Sequence, residues 1–61
     1  MIEITFDNEV LRRYPPKYWR WTLRNGEMKS RNMDEVKVGD IIIELGKEME
    51  VTSIDVVQIE M

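Results

Sequence analysis

The sequence has no cysteine, no histidine and no alanine among its 61 residues. The absence of cysteine excludes a disulfide framework. Without histidine as well, a Cys/His zinc site and a Cys or His nucleophile are excluded. Missing alanine removes the best helix former, whereas β-branched isoleucine and valine are abundant. We therefore expect an all-β protein with no metal and no other cofactor.

Long apolar runs are also missing. None approaches the roughly 20 residues of a transmembrane helix, and the first residues do not resemble a signal peptide. We expect a soluble, cytoplasmic protein with a single domain, residues 1–61, and a small core. From size alone, we also expect an accessory protein of a phage or mobile element.

Charge is unevenly distributed along the chain. Residues 1–31 contain seven Lys/Arg and four Asp/Glu, a net charge of +3, whereas residues 32–61 contain two and eight, a net charge of −6. This segregation predicts a bipolar surface. The alternative is that the two halves pair with one another.

The clearest structural signal is Asn25-Gly26 between two alternating segments. A type I′ turn needs positive φ at both central positions, which Asn and Gly accept, so the pair predicts a two-residue β-hairpin. The register then follows: Arg24 faces Glu27, and Trp19 faces Asn32 at the far end.

Alternation divides this hairpin into two faces. We expect the first face to belong to the core; it comprises Trp19, Trp21, Leu23 and Met28, with Ser30 and Asn32. The alternative is that Trp19 and Trp21 form an exposed platform on which bases stack. The second is a basic ribbon comprising Tyr18, Arg20, Thr22, Arg24, Lys29 and Arg31, with Glu27 as its one acid. Arg20 lies opposite Arg31, and this like-charge pair costs stability. That cost suggests a surface kept for a partner.

The first strand and the first corner can be read from the N-terminal residues. Ile2, Ile4 and Phe6 alternate with polar residues and predict a strand with these three side chains inward. Residues 9–13 form either a return strand or an extended loop. Pro15-Pro16 excludes helix and central strand there.

The second half predicts a compact turn followed by a second hairpin. We expect the turn at residues 34–40 to bury Val36 and Val38. Residues 41–45 form a strand, and a three-residue loop, residues 46–48, then places Ile43 opposite Val51. A bend or bulge at residues 53–55 precedes a last strand, whose inward residues are Val57, Ile59 and Met61.

Five to six short strands predict a small, partly open SH3-like antiparallel barrel. The segment Val36-Lys37-Val38-Gly39-Asp40-Ile41-Ile42, followed by Val51-Thr52-Ser53-Ile54, resembles the V-G-D-x-I … V-x-x-I pattern of SH3-like barrels and of the Hint domains of inteins. The resemblance implies a β-rich barrel. It does not imply self-splicing, because the nucleophilic and histidine residues of that reaction are lacking.

Nothing in the sequence indicates catalysis, and we expect no catalytic residues. The glycines fall singly in predicted turns instead of forming a phosphate-binding loop. We expect the acids of the second half to point outward into solvent: Glu44, Glu48, Glu50, Asp55 and Glu60. Glu44 and Glu50 would face each other, either as a weak divalent-cation site or as a surface for a basic partner, but a solvated acidic face is the preferred interpretation.

Basic and aromatic residues carry the functional hypothesis. The candidate binding residues are Arg12, Arg13, Tyr14, Lys17, Tyr18, Arg20, Arg24, Lys29 and Arg31. Basic side chains neutralise phosphates and aromatic rings stack on unpaired bases, so the first hypothesis is binding of single-stranded nucleic acid or a nucleoprotein. The sequence pI of about 4.8 argues against it. The alternatives are a protein-interaction module, such as a small adaptor or inhibitor of a larger enzyme, and a homodimer.

Overall fold

The computed structural model describes residues 1–57, which form an all-β protein with one short 3₁₀ turn at Met33–Glu35. The six strands are β1 (Ile2–Phe6), β2 (Leu11–Tyr14), β3 (Trp19–Arg24), β4 (Glu27–Asn32), β5 (Ile41–Glu44) and β6 (Lys47–Val56). In this part of the chain, no helix is long and apolar enough to cross a membrane.

All strands belong to one antiparallel sheet in the order β2-β1-β6-β5-β3-β4. The ten-residue strand β6 is shared, because its first part pairs with β5 and its second part with β1. Near the start of the second part Thr52 is an extra residue: Thr5 pairs with Ser53, but Phe6 pairs with Val51. Such a bulge bends a strand and increases its twist. The sheet curls without closing, which confirms the prediction of a partly open antiparallel barrel.

The core fills the concave side of this sheet. Ile2, Ile4 and Phe6 are buried, as their alternation predicts. Their buried neighbours are Tyr14, Met33, Val36, Ile42, Met49 and Val51. Ile4, Ile42 and Val51 are completely inaccessible to solvent, so β1, β5 and β6 together supply the centre of the core.

The first hairpin has the predicted register at all six pairs, from Arg24 opposite Glu27 to Trp19 opposite Asn32. Its turn residues have the positive φ angles that a type I′ turn requires, 50° at Asn25 and 80° at Gly26. Here the turn sequence alone determines the pairing.

The second hairpin differs from its prediction. Its loop is the two-residue turn Leu45-Gly46, with φ angles of 51° and 75°, and not the three-residue loop at residues 46–48. Ile42 therefore faces Met49, and Ile43 faces Glu48 instead of Val51. The pairing differs from the predicted one by three residues, and any odd shift exchanges the two faces of a strand, so Ile42 is buried in the core.

This register decides which face of β3 is inward. Thr22 pairs with the buried Ile42, and Trp21 pairs with Ile43 on the opposite face. Thr22 is consequently fully buried, while Trp19 and Trp21 remain 53% and 52% exposed. The preferred prediction, that both tryptophans lie in the core, is wrong, and the alternative, that they are exposed, is correct. The expected basic ribbon is the inward face.

Three smaller expectations have different outcomes. The turn after β4 buries Val36 as predicted, but Val38 is exposed. The bend or bulge expected at residues 53–55 is a bulge, and it lies one residue earlier, at Thr52, within the continuous strand β6. The last predicted strand largely falls on residues 58–61, outside the described residues; Val57 exchanges backbone hydrogen bonds with Met1.

Candidate functional site

Four side chains around the predicted basic ribbon form a cluster that connects separate strands. Tyr14 of β2 stacks on Tyr18, with ring centroids 5.4 Å apart. The guanidinium of Arg20 lies 4.1 Å from the centroid of the Tyr18 ring. The Tyr14 hydroxyl donates a hydrogen bond of 3.0 Å to Glu44 Oε2, and Arg20 Nη2 lies 3.9 Å from Glu44 Oε1. The cluster thus links the edge strand β2 to β3 and β5, neither of which is its neighbour in the sheet.

Glu44 is therefore not the outward, solvated acid that was expected. Its side chain is only 15% exposed, and its cross-strand neighbour is Lys47 instead of Glu50. Burial, followed by the hydrogen bond to the Glu44 carboxylate, raises the pKa of Tyr14 to about 12. Tyr14 thus stays a neutral hydrogen-bond donor at physiological pH, and no paired carboxylates remain for the cation site.

A second predicted site residue, Arg24, is held by Asp40. Arg24 Nε donates to Asp40 Oδ1 at 2.8 Å and Nη2 donates to Oδ2 at 2.7 Å. The Lys37 backbone N–H donates to Oδ2 at 2.9 Å, and the Asp40 side chain is only 3% exposed. Hydrogen bonding from Arg24 holds the pKa of the Asp40 carboxyl below its usual range, and the Lys37 N–H acts in the same direction. The V-G-D segment is therefore a turn anchored to β3.

Arg31, the third arginine of the hairpin, is buried. Its Nη1 donates a hydrogen bond of 2.7 Å to the Thr22 carbonyl oxygen. Arg20 faces Arg31 across the ladder as predicted, but the two side chains bind different partners: Arg20 reaches Tyr18 and Glu44, while Arg31 remains over β3. The like-charge pair is thus accommodated inside the fold, and its occurrence does not point to a partner.

The remaining candidate residues lie near the surface but do not form one patch. Lys17 pairs with Asp34 at 3.0 Å, and Arg13 pairs with Glu3 at 2.8 Å. Arg12 and Lys29 are exposed on the two edge strands, β2 and β4, at opposite ends of the strand order.

Ion pairing links the two halves of the sequence. Within residues 1–57, three of the four ion pairs join a base of residues 1–31 to an acid of residues 32–57. The halves therefore pair with one another, the alternative that the charge distribution had left open. Most of the apparent basic surface is neutralised within the fold.

The convex side of the sheet carries the surface that the sequence interpretation had placed in the core. We call it the tryptophan face. The strand register assigns to it Trp19, Trp21, Leu23, Met28, Ser30, Asn32, Ile41, Ile43, Glu48 and Glu50. Six of these side chains are large and apolar and are neighbours across β4, β3 and β5. Trp19, Trp21 and Met28 are exposed, whereas Leu23, Ile41 and Ile43 are partly buried. Apolar patches on the surface of monomeric proteins are commonly interaction sites.

A groove opens at the Trp19 end of this face. It has a volume of about 440 Å³ and is lined by Trp19, Trp21, Ser30, Asn32 and Glu35. The two indole rings are nearly perpendicular, at 87°, with centroids 6.2 Å apart. Small side chains at Ser30 and Asn32 leave the indoles uncovered on the β4 side. The groove therefore presents flat aromatic walls beside one carboxylate.

The sequence itself contains a signal that this face is exposed. Ser30 and Asn32 are polar and small, and each lies directly opposite an indole. A buried face would place apolar residues there.

Within the described part of the chain, no group of three or more carboxylates could hold a metal ion. No protein-family model, curated protein or solved structure matches this chain.

Proposed function

We propose that the chain is a non-enzymatic binding module that recognises another protein through the tryptophan face. The observation that carries the proposal is the half-exposure of Trp19 and Trp21 on a contiguous apolar face. Tryptophan, tyrosine and arginine dominate the residues whose truncation costs most at protein interfaces. A domain with a small core has strong reason to bury two tryptophans, so their exposure favours a surface kept for binding.

The composition of the face supports a protein over a nucleic acid. Among the ten residues of the tryptophan face, Glu48 and Glu50 are acidic and none is basic. Glu35 adds a further acid at the groove. A polyanionic strand stacking on the indoles would meet carboxylates and find no base on this face to neutralise its phosphates. An adaptor or inhibitor of a larger enzyme fits a module of this size.

Selection from a random-peptide display library on the immobilised protein tests the proposal. We expect enriched peptides that bind the wild type but lose about tenfold or more in affinity on Trp21→Ser. Leu11→Ser is the matched control. Leu11 is 53% exposed, about as much as Trp21 at 52%, but it lies on the edge strand β2, far from β3 in the strand order. The control should bind like the wild type.

The competing function is tested in the same format with a mixed-sequence single-stranded oligonucleotide at low salt. We expect no saturable binding. Oligonucleotide binding that disappears in Trp21→Ser would replace the proposed function with nucleic-acid recognition. Failure to enrich any peptide, or enrichment that is insensitive to both tryptophans, would refute it.

A further inference from the structure

The groove between the two indoles has the form of a site for an organic cation. A cation is attracted to an aromatic face when it lies within about 6 Å of the ring centroid. Trp19 and Trp21 meet at 87° with centroids 6.2 Å apart, so one group in the corner between them can contact both faces. Within residues 1–57, the only cation recorded over a ring is Arg20 on Tyr18. Both tryptophan rings are therefore uncovered by bases of the chain itself.

A carboxylate is fixed at the open side of this corner. Glu35 belongs to the 3₁₀ turn after β4, and its Oε1 accepts a hydrogen bond of 3.2 Å from the Asn32 backbone N–H. That bond orients the carboxylate beside the groove and leaves Oε2 available. Ser30 and Asn32 line the same groove with further hydrogen-bonding groups. A planar donor that stacks on an indole would find acceptors at its edge.

The electrostatic surroundings favour the same ligand. The tryptophan face contains Glu48 and Glu50 and no base, so its potential attracts positive charge. Arginine fits better than lysine, because its planar guanidinium stacks on aromatic faces and presents donors in a rigid fork. Arg20 already uses this geometry on Tyr18, at 4.1 Å.

We propose that the groove between Trp19 and Trp21 receives an arginine side chain from a basic segment of the partner protein, with Glu35 as its ion-pair acceptor. This inference rests on the proposed function and specifies the chemistry of the partner. The occupant must place one arginine in the groove and complement Glu48 and Glu50 along the rest of the face.

Titration with a short model peptide provides the test. The probe is acetyl-Gly-Gly-Arg-Gly-Gly-amide, compared with the same peptide carrying citrulline, a neutral isostere of arginine. Binding is followed by the NMR shifts of the two indole N–H resonances. We expect the arginine peptide to bind about fivefold tighter than the citrulline peptide. Lysine should fall between them.

Two variants separate the ion pair from the stacking. Glu35→Gln keeps the acceptor for the Asn32 N–H and removes the charge, so it should weaken the arginine peptide about threefold and leave the citrulline peptide unchanged. Glu27→Gln, which changes an exposed acid off the tryptophan face, should have no effect. Trp19→Leu should abolish the preference for arginine; its fold is checked by circular dichroism.

The outcomes distinguish this inference from the proposed function. Equal affinity for the arginine and citrulline peptides, or an arginine affinity unchanged by Glu35→Gln, overturns the arginine site. The proposed function still stands in that case if display selects peptides that depend on Trp21. Indole shifts that depend on protein concentration without any peptide would mean that a second copy occupies the face, for example through its exposed Arg12, and would also overturn the inference.

Discussion

Removing the Asp40 carboxylate should cost more stability than removing any other acid among the described residues. In Asp40→Ala, three hydrogen bonds disappear, two from Arg24 and one from the Lys37 N–H. Bonds to a charged acceptor contribute about 1.5–3 kcal/mol each, but they share one carboxylate and Arg24 can be rehydrated. We therefore count the three bonds as two independent contacts, one to Arg24 and one to Lys37, of about 1.5 kcal/mol each. The free energy of unfolding should fall by about 3 kcal/mol.

A loss of this size is large for such a chain. Stabilities of 0.05–0.15 kcal/mol per residue correspond to about 3–9 kcal/mol for a domain of this length. Urea unfolding followed by circular dichroism should show a lower midpoint with an unchanged slope. Asp34→Ala is the matched control, because its partner Lys17 is largely exposed, and it should change the midpoint far less. Similar midpoints for the two variants would refute the assignment of Asp40 as an anchor.

The effect should also depend on pH. Because the folded-state pKa of Asp40 lies below its usual value, the ionised carboxylate stabilises the fold above the unfolded pKa of about 3.9. That contribution is lost as the pH falls through the folded pKa. The stability difference between wild type and Asp40→Ala should thus be constant between pH 5 and 7, by the linkage relation, and should shrink below about pH 4. A difference that grows in acid would contradict the sign of this argument.

Two further predictions concern the second hairpin and Tyr14. Leu45→Asn should raise the free energy of unfolding by about 1 kcal/mol, because Leu45 is 95% exposed and has a φ of 51° that asparagine accepts more readily. Thermal unfolding measures the gain, and a lower melting temperature would contradict it. Burial, followed by the hydrogen bond to Glu44, raises the pKa of Tyr14 to about 12. The neutral hydroxyl therefore stabilises the fold fully below pH 10, and this contribution is lost as the pH rises toward 12. In Tyr14→Phe, the free energy of unfolding should no longer fall between pH 10 and 12 for this reason. If the variant has the same pH profile as the wild type, Tyr14 is not the group responsible.

The two hairpins show where sequence reasoning succeeds. Asn25-Gly26 is a strong local signal, and every pair of the first hairpin follows from it. Leu45-Gly46 forms the same kind of turn, but leucine rarely adopts positive φ. The local sequence therefore favours a loop at residues 46–48, which leaves Leu45 in the strand. A three-residue loop also places more apolar side chains of the hairpin on the same face, and this favours the incorrect register.

The wrong face of β3 has a separate cause. Trp21 and Thr22 were assigned by the rule that large apolar residues lie inside, yet their sides are set by pairing with Ile43 and Ile42. Pairing between β3 and β5 is a long-range contact that no local pattern specifies. The partners of Arg24 and Arg20 are distant in sequence for the same reason, so the predicted basic surface could not be distinguished from internal ion pairs.

The position of the two tryptophans has a consequence for spectroscopy. Both indoles of the chain lie on the tryptophan face and none lies in the core, so their emission in the native state is that of half-hydrated rings. Unfolding would expose the covered half, whereas a bound partner would exclude water from the exposed half. Tryptophan emission should therefore shift in opposite directions when the fold is lost and when the tryptophan face is covered.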